Sequence, residues 1–187
     1  MAVREVLLYP DPRLKEVARP AQASEIDAIA TDLVDTMRSF ERCVGVAAPQ
    51  IGILARVAVV DVTDHPKAET SSGLIVLANP RLVEAHGAEV GREGCLSLPE
   101  VTANVRRPTA IVVKHAAGRL TCEGFEARCV LHEMDHLDGV LFLDRVDSLV
   151  DDVFRRRSYA PTSVGSESAR EASNSEGSEA SEPDCTG

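Results

Sequence analysis

The spacing of apolar positions changes several times along this chain, and each change marks an element. Between residues 24 and 40, Ile26, Ile29, Leu33, Val34 and Met37 recur at helical spacing, which predicts an amphipathic helix. Ser24 with Asp27 three residues on reads as its N-terminal cap, in the manner of a capping box. Upstream, a short apolar run ends in Tyr9-Pro10-Asp11-Pro12-Arg13-Leu14, where two prolines predict a turn followed by one helical turn. Residues 43–52, rich in Gly and Ala, read as loop or irregular strand, residues 56–62 (RVAVVDV) as a strand, and the polar stretch 63–73 as a surface loop. Residues 73–89 predict one or two strands broken at Asn79-Pro80. Residues 105–114 predict another, paired with 119–123 across a turn at Ala117-Gly118. A second long helix is expected over 125–137, stopping near Gly139, and a last short amphipathic helix over 148–157. With no internal repeat, this pattern is that of an α+β fold.

Composition sharpens the picture. Aromatic residues make up 3% of the 187 and Trp is absent, so the core is expected to be built from Val, Leu, Ile and Ala. Beyond Pro161 the chain turns to Ser, Glu, Ala and Gly with almost nothing apolar to bury. Residues 1–160 therefore read as one folded domain and residues 161–187 as a disordered acidic tail. The net charge of −10 argues against nonspecific nucleic-acid binding, which requires a basic face. No stretch approaches the roughly 20 apolar residues of a membrane span. Five cysteines form no evident pairs and no secretory leader precedes Pro10, so the expected compartment is the cytoplasm.

The chemistry centres on His132-Glu133-Met134-Asp135-His136. Residues i and i+4 of a helix share a face, so both imidazoles can reach one metal ion while the glutamate beside the first meets a water on that ion. A site of this kind needs a third ligand and an open position. Cys95, within Glu93-Gly94-Cys95-Leu96-Ser97-Leu98-Pro99, is the better candidate, because no third histidine follows at a suitable spacing. Cys, His and His together suit Zn(II) or Fe(II). The bland readings are an HExxH arising by chance in a polar helix and a cysteine acting as a small buried hydrophobe. His65, His86 and His115 read as surface residues, and Cys122, Cys129 and Cys185 as structural.

Three segments together resemble the peptide deformylase family: Gly45-Val46-Ala47-Ala48-Pro49-Gln50-Ile51-Gly52, then EGCLS at 93–97, then HEMDHLDG at 132–139. The resemblance runs from about Val6 to Val146. It implies an α+β fold with antiparallel sheets packed around a central HExxH helix, and a hydrolase that removes the N-formyl group from the starting methionine of nascent proteins. It places the metal ligands on Cys95, His132 and His136, the general acid/base on Glu133, and the oxyanion donors on the Gln50 side chain and the Leu96 backbone. Gly45, with Val46 beside it, would let the peptide backbone approach closely. The implied cofactor is Fe(II), with Zn(II), Ni(II) or Co(II) able to take the site. The implied partners are N-formylmethionyl peptides at the ribosome, with neither nucleic acid nor membrane bound directly.

The chain departs from the family pattern at Cys43, where glycine is usual, at Val46 and Leu131, and at Thr102, in a region where many members place a peptide-holding arginine. These bear on substrate and inhibitor binding rather than on the chemistry. A divergent paralogue with altered binding, or another HExxH metallopeptidase or amidase, are the alternative readings.

Overall fold

The computed structural model describes residues 2–156. The expectation of a disordered tail over 161–187 falls outside them. Two α-helices and nine strands form three antiparallel three-stranded sheets among the described residues. Helix α1 spans Ala23–Ser39 and buries Ile29, Ala30, Leu33, Thr36 and Met37, the face that its sequence period marks out. It begins one residue earlier than expected. Glu25, not Asp27, accepts the backbone N–H of the capping residue, Gln22, at 2.9 Å. Glutamate reaches back over a turn more readily than aspartate.

Strands β1 (Gly45–Ala47), β2 (Val57–Val60) and β3 (Ile75–Ala78) form the first sheet, with β2 in the middle. All four residues of β2 are buried. Val57 and Val59 pack toward α1, whereas Ala58 and Val60 pack toward the second helix. This two-sided burial is why the segment is apolar throughout rather than alternating. At the expected break, Asn79 adopts φ 51° and its side chain bonds both backbone groups of Ala21, at 2.8 and 3.0 Å.

The second sheet has the order β4-β7-β8, from Arg81–His86, Ala110–His115 and Gly118–Glu123. The third has the order β5-β6-β9, from Glu89–Cys95, Leu98–Arg107 and Val153–Arg155. Residues 105–114 are thus not one strand. Pro108, which has no N–H for a ladder, lies between β6 and β7, where the chain changes sheets. The expected helix over 148–157 is also absent. Leu149 and Val150 are exposed in a turn closed by Ser148 and Asp152, and Val153–Arg155 instead pairs with β6. A short helix with nothing to bury does not outweigh a strand pairing that satisfies its backbone.

Helix α2, Gly124–Leu137, is the centre of the molecule: 11 of its 14 residues are buried, so its polar side chains must find partners inside. It ends as expected at Gly139, whose φ is 68° and whose Cβ position would lie 2.6 Å from the carbonyl oxygen of Lys15. Ala18 donates to the Leu137 carbonyl at 2.9 Å, tying the helix end to the N-terminal segment. Gly139→Ala combines left-handed strain with a backbone clash, and a loss of about 2 kcal/mol or more is expected in urea denaturation. An unchanged midpoint would mean that this junction is loose.

Candidate active site

Strand β5 carries the first part of the site. Its alternation turns Glu93 and Cys95 inward and Arg92 and Gly94 outward. Helix α2 brings His132 and His136 from one face, one turn apart, onto the same point. The ligating atoms of Cys95, His132 and His136 lie within 4.8 Å of one another, and Cys95 Sγ is 3.2 Å from His136 Nε2. His132 turns Nδ1 to Glu93 Oε2 at 2.9 Å, which leaves its Nε2 for the cluster. One thiolate and two imidazoles converging on one point are a donor set for a borderline or soft divalent ion.

Strand β1 and the 3-10 turn that follows it, Ala48–Ile51, close the site. Gly45 lies directly against Glu133: a Cβ there would sit 2.7 Å from Glu133 Oε1. Glu133 is buried, and its Oε2 has no partner among the described residues. A buried carboxylate oxygen without a partner beside a three-ligand cluster is what a site built for an ion and its water requires. Gln50, also buried, accepts the Ala47 N–H through Oε1 at 2.9 Å. That bond fixes the amide so that Nε2 faces the site, 3.3 Å from Cys95 Sγ and 3.2 Å from Ser97 Oγ. Leu96 follows Cys95 in the turn between β5 and β6.

Val46 is the exception among the expected residues. Its side chain is fully buried in the α1-side core, so only its backbone can face a ligand. Cys43 packs beside that core and donates to the Gly45 carbonyl at 3.2 Å; burial pushes its thiol up to about 12. Leu131 is buried in the α2 core. His65, expected at the surface, is half-buried and stacks on Phe125 at 4.3 Å between centroids.

Behind the ligands lies a charged network that sequence reasoning missed. Arg107 clasps Glu93 with two bonds, at 2.9 and 3.0 Å, and reaches Asp135 at 2.6 Å. Arg128 adds a bond to Glu93 at 3.0 Å, and Arg145 holds Asp135 at 2.6 Å. Glu93 had a signal, since it stands two residues before Cys95 on the same strand face. Arg107 had none, because its partners lie on a neighbouring strand and a distant helix.

The electrostatics follow from this geometry. Burial alone would raise the Glu93 carboxyl, but His132 and Arg107 hold it down at about 2. Burial would likewise raise the Cys95 thiol, and the two histidines override it, keeping it well below the ordinary thiol value and ready to bind as thiolate. Glu133 is pushed up to about 7, by burial first and then by the charges of Cys95 and Glu93, against the pull of the histidines.

Two outcomes are expected. Glu93→Gln removes the charge that orients His132, takes the carboxylate from Arg128 and leaves Arg107 with Asp135 alone. Metal affinity, read by chelator competition, should fall about 10- to 100-fold, and stability by about 3 kcal/mol. Glu133 has a folded-state value above its ordinary one, so its ionisation weakens the fold as pH rises from about 4.5 to about 7. Metal-free Glu133→Gln should therefore exceed the unsubstituted chain in urea stability by up to about 3 kcal/mol above pH 7 and by little at pH 4.5. An equal gap at both pH values would contradict this origin.

Comparison with known proteins gives the family. The family profile of polypeptide deformylase matches residues 3–152. Peptide deformylase of Alkalilimnicola ehrlichii is 40% identical over 164 residues, covering 84% of this chain and 89% of that protein. The peptide deformylase of Desulforudis audaxviator is 42% identical over 157 residues, covering 80% and 97%. Among solved structures, a peptide deformylase from Legionella pneumophila superposes with a TM-score of 0.70 at 37% identity, over 79% of this chain and 88% of the other. A class I type b peptide deformylase from Acinetobacter baumannii, crystallised with Met-Ala-Ser bound, gives 0.71 at 33% identity, over 78% and 99%. The chain belongs to the polypeptide deformylase family and is a metal-dependent hydrolase that removes the N-formyl group from nascent peptides.

Proposed function

We propose that Cys95, His132 and His136 hold one divalent ion, Fe(II) in the cell, and that Glu133, Gln50 and Leu96 carry out formyl transfer to water around it. The observation that carries this reading is the unpartnered Glu133 Oε2 buried beside the three-ligand cluster. Bound there, the ion supplies Lewis acidity, which acidifies a water and polarises the formyl carbonyl.

Glu133 takes the proton of the attacking water, a role suited to a carboxyl held near neutral pH. Attack on the formyl carbon turns its carbonyl oxygen into an oxyanion. Gln50 Nε2, already aimed by the Ala47 bond, donates to that oxygen, as does the Leu96 N–H. Glu133 then delivers its proton to the departing amine, and the products are formate and a peptide with a free N-terminus. Strand β1 ends its sheet and β5 ends another, so each offers a free edge along which the extended peptide lies. Gly45 allows that approach without displacing Glu133.

The Met-Ala-Ser bound to the Acinetobacter relative supports short methionyl peptides as the substrate class. The substrates in the cell are formylmethionyl chains emerging from the ribosome, and the place of action is the cytoplasm. No helix among the described residues is long and apolar enough to cross a membrane.

Anaerobically prepared, Fe(II)-loaded protein should turn over formyl-Met-Ala-Ser. Glu133→Ala should reduce the rate at least about 100-fold while one equivalent of metal stays bound. Chelation should abolish turnover and added Fe(II) restore it. Equal rates in the two proteins, or turnover that survives complete metal removal, would overturn the proposal.

A further inference from the structure

Strand β9 leads into Arg156, whose backbone N–H donates to the Glu100 carbonyl at 2.8 Å. Its side chain folds over β5. A Cβ at Gly94 would collide with Arg156 Nη2 and would lie 3.3 Å from Thr102 Cγ2, and Gly94 and Thr102 are cross-strand partners. Consecutive Cα atoms are about 3.8 Å apart, so the guanidinium stands within roughly 8 Å of the Cα of Cys95.

Neighbouring cations are engaged. Arg4 is paired with Asp32 at 2.7 Å, and Arg92 lies 3.5 Å over the Phe154 ring and donates to Thr102 Oγ1 at 3.2 Å. The Arg156 guanidinium has neither a carboxylate within 4.0 Å nor a hydrogen-bond acceptor among the described residues; Glu5 lies on the same rim without reaching it.

Arg156 also closes one side of an open, mainly apolar cavity of about 450 Å³, together with Val6, Leu8, Phe40, Leu96 and Pro99. Leu96, the residue after Cys95, also lines this cavity. The cavity therefore adjoins the active site. An extended peptide advances about 3.3 Å per residue, so its third side chain lies about 7 Å beyond its first. With the formyl group at Cys95, that span matches the distance from Cys95 to the Arg156 guanidinium.

We propose that Arg156 is a specificity-determining residue, which binds the carboxylate of an acidic third residue of the formylated peptide at the mouth of this cavity. The assignment rests on the proposed function, since it takes the formyl group to sit at the three-ligand cluster. It assigns substrate selection to a strand outside all three motifs, opposite a Thr102 that carries no charge.

The test is peptide affinity, read by fluorescence anisotropy on the zinc-loaded full-length chain carrying Glu133→Gln, so that the formyl group stays in place. The probes are formyl-Met-Ala-Glu and formyl-Met-Ala-Lys, both labelled and blocked as C-terminal amides. The Glu peptide is expected to bind about fivefold more tightly, the upper range for an exposed ion pair. Arg156→Ala should equalise the two peptides, Arg156→Lys should keep part of the difference, and Arg156→Glu should reverse it, with no change in thermal midpoint. Equal affinities with Arg156 in place, a preference that survives Arg156→Glu, or no binding of either peptide would overturn the assignment. Turnover of formyl-Met-Ala-Ser by the unsubstituted chain, measured in parallel, bears on the proposed function alone.

Discussion

Glu93 carries its charge where water does not reach, and three side chains from two neighbouring elements converge on it. Arg107 clasps it from β6, and Arg128 and His132 meet it from α2. An isolated buried carboxylate would cost several kcal/mol, so the strand, its neighbour and the helix are held in one relative position by the need to satisfy it. The geometry of the proposed metal ligands follows from that constraint. With His132 fixed by Glu93 and Cys95 on the same strand face as Glu93, the distance from thiolate to imidazole is set before any ion arrives. Asp135 extends the constraint by joining Arg107 to Arg145, beyond the end of α2.

The rest of the site relies on close approach rather than on charge. Gly45 lets β1 lie directly on Glu133, and the helix end at Gly139 lets the N-terminal segment pack on α2. The first contact keeps Glu133 away from bulk water, which raises its pKa toward the range a general base needs. The same burial makes the charged form unfavourable. The fold tolerates a strained carboxylate at the one position where the proposed chemistry uses it.

What the sequence made legible follows from where the signals were local. The HExxH pair, the stripe on α1 and the break at Asn79-Pro80 each depend on residues within a turn or two of one another, and each took the expected form. The hairpin of β5 and β6 was illegible because Gly91, Gly94 and Pro99 have weak strand preferences, and its stability comes from a long register and a core that includes Leu14 and Phe142. Val46 matched a functional motif and yet serves the core, because alternate residues of β1 face opposite helices. Arg107 and Arg156 gave no signal, since the residues they lie against, Glu93 and Asp135 for the first and Gly94 for the second, are brought close only by the fold.

The central claim is that this chain presents Cys95, His132 and His136 as one preformed divalent-metal site. Titrating the metal-free full-length protein with Co(II) under reducing conditions tests it most directly, because a cobalt–thiolate bond gives its own charge-transfer absorption. The account predicts saturation of that band at one equivalent, its loss in Cys95→Ser, and its retention in Cys43→Ser and Cys129→Ser. Saturation without a thiolate band, or a band that survives Cys95→Ser, would contradict it.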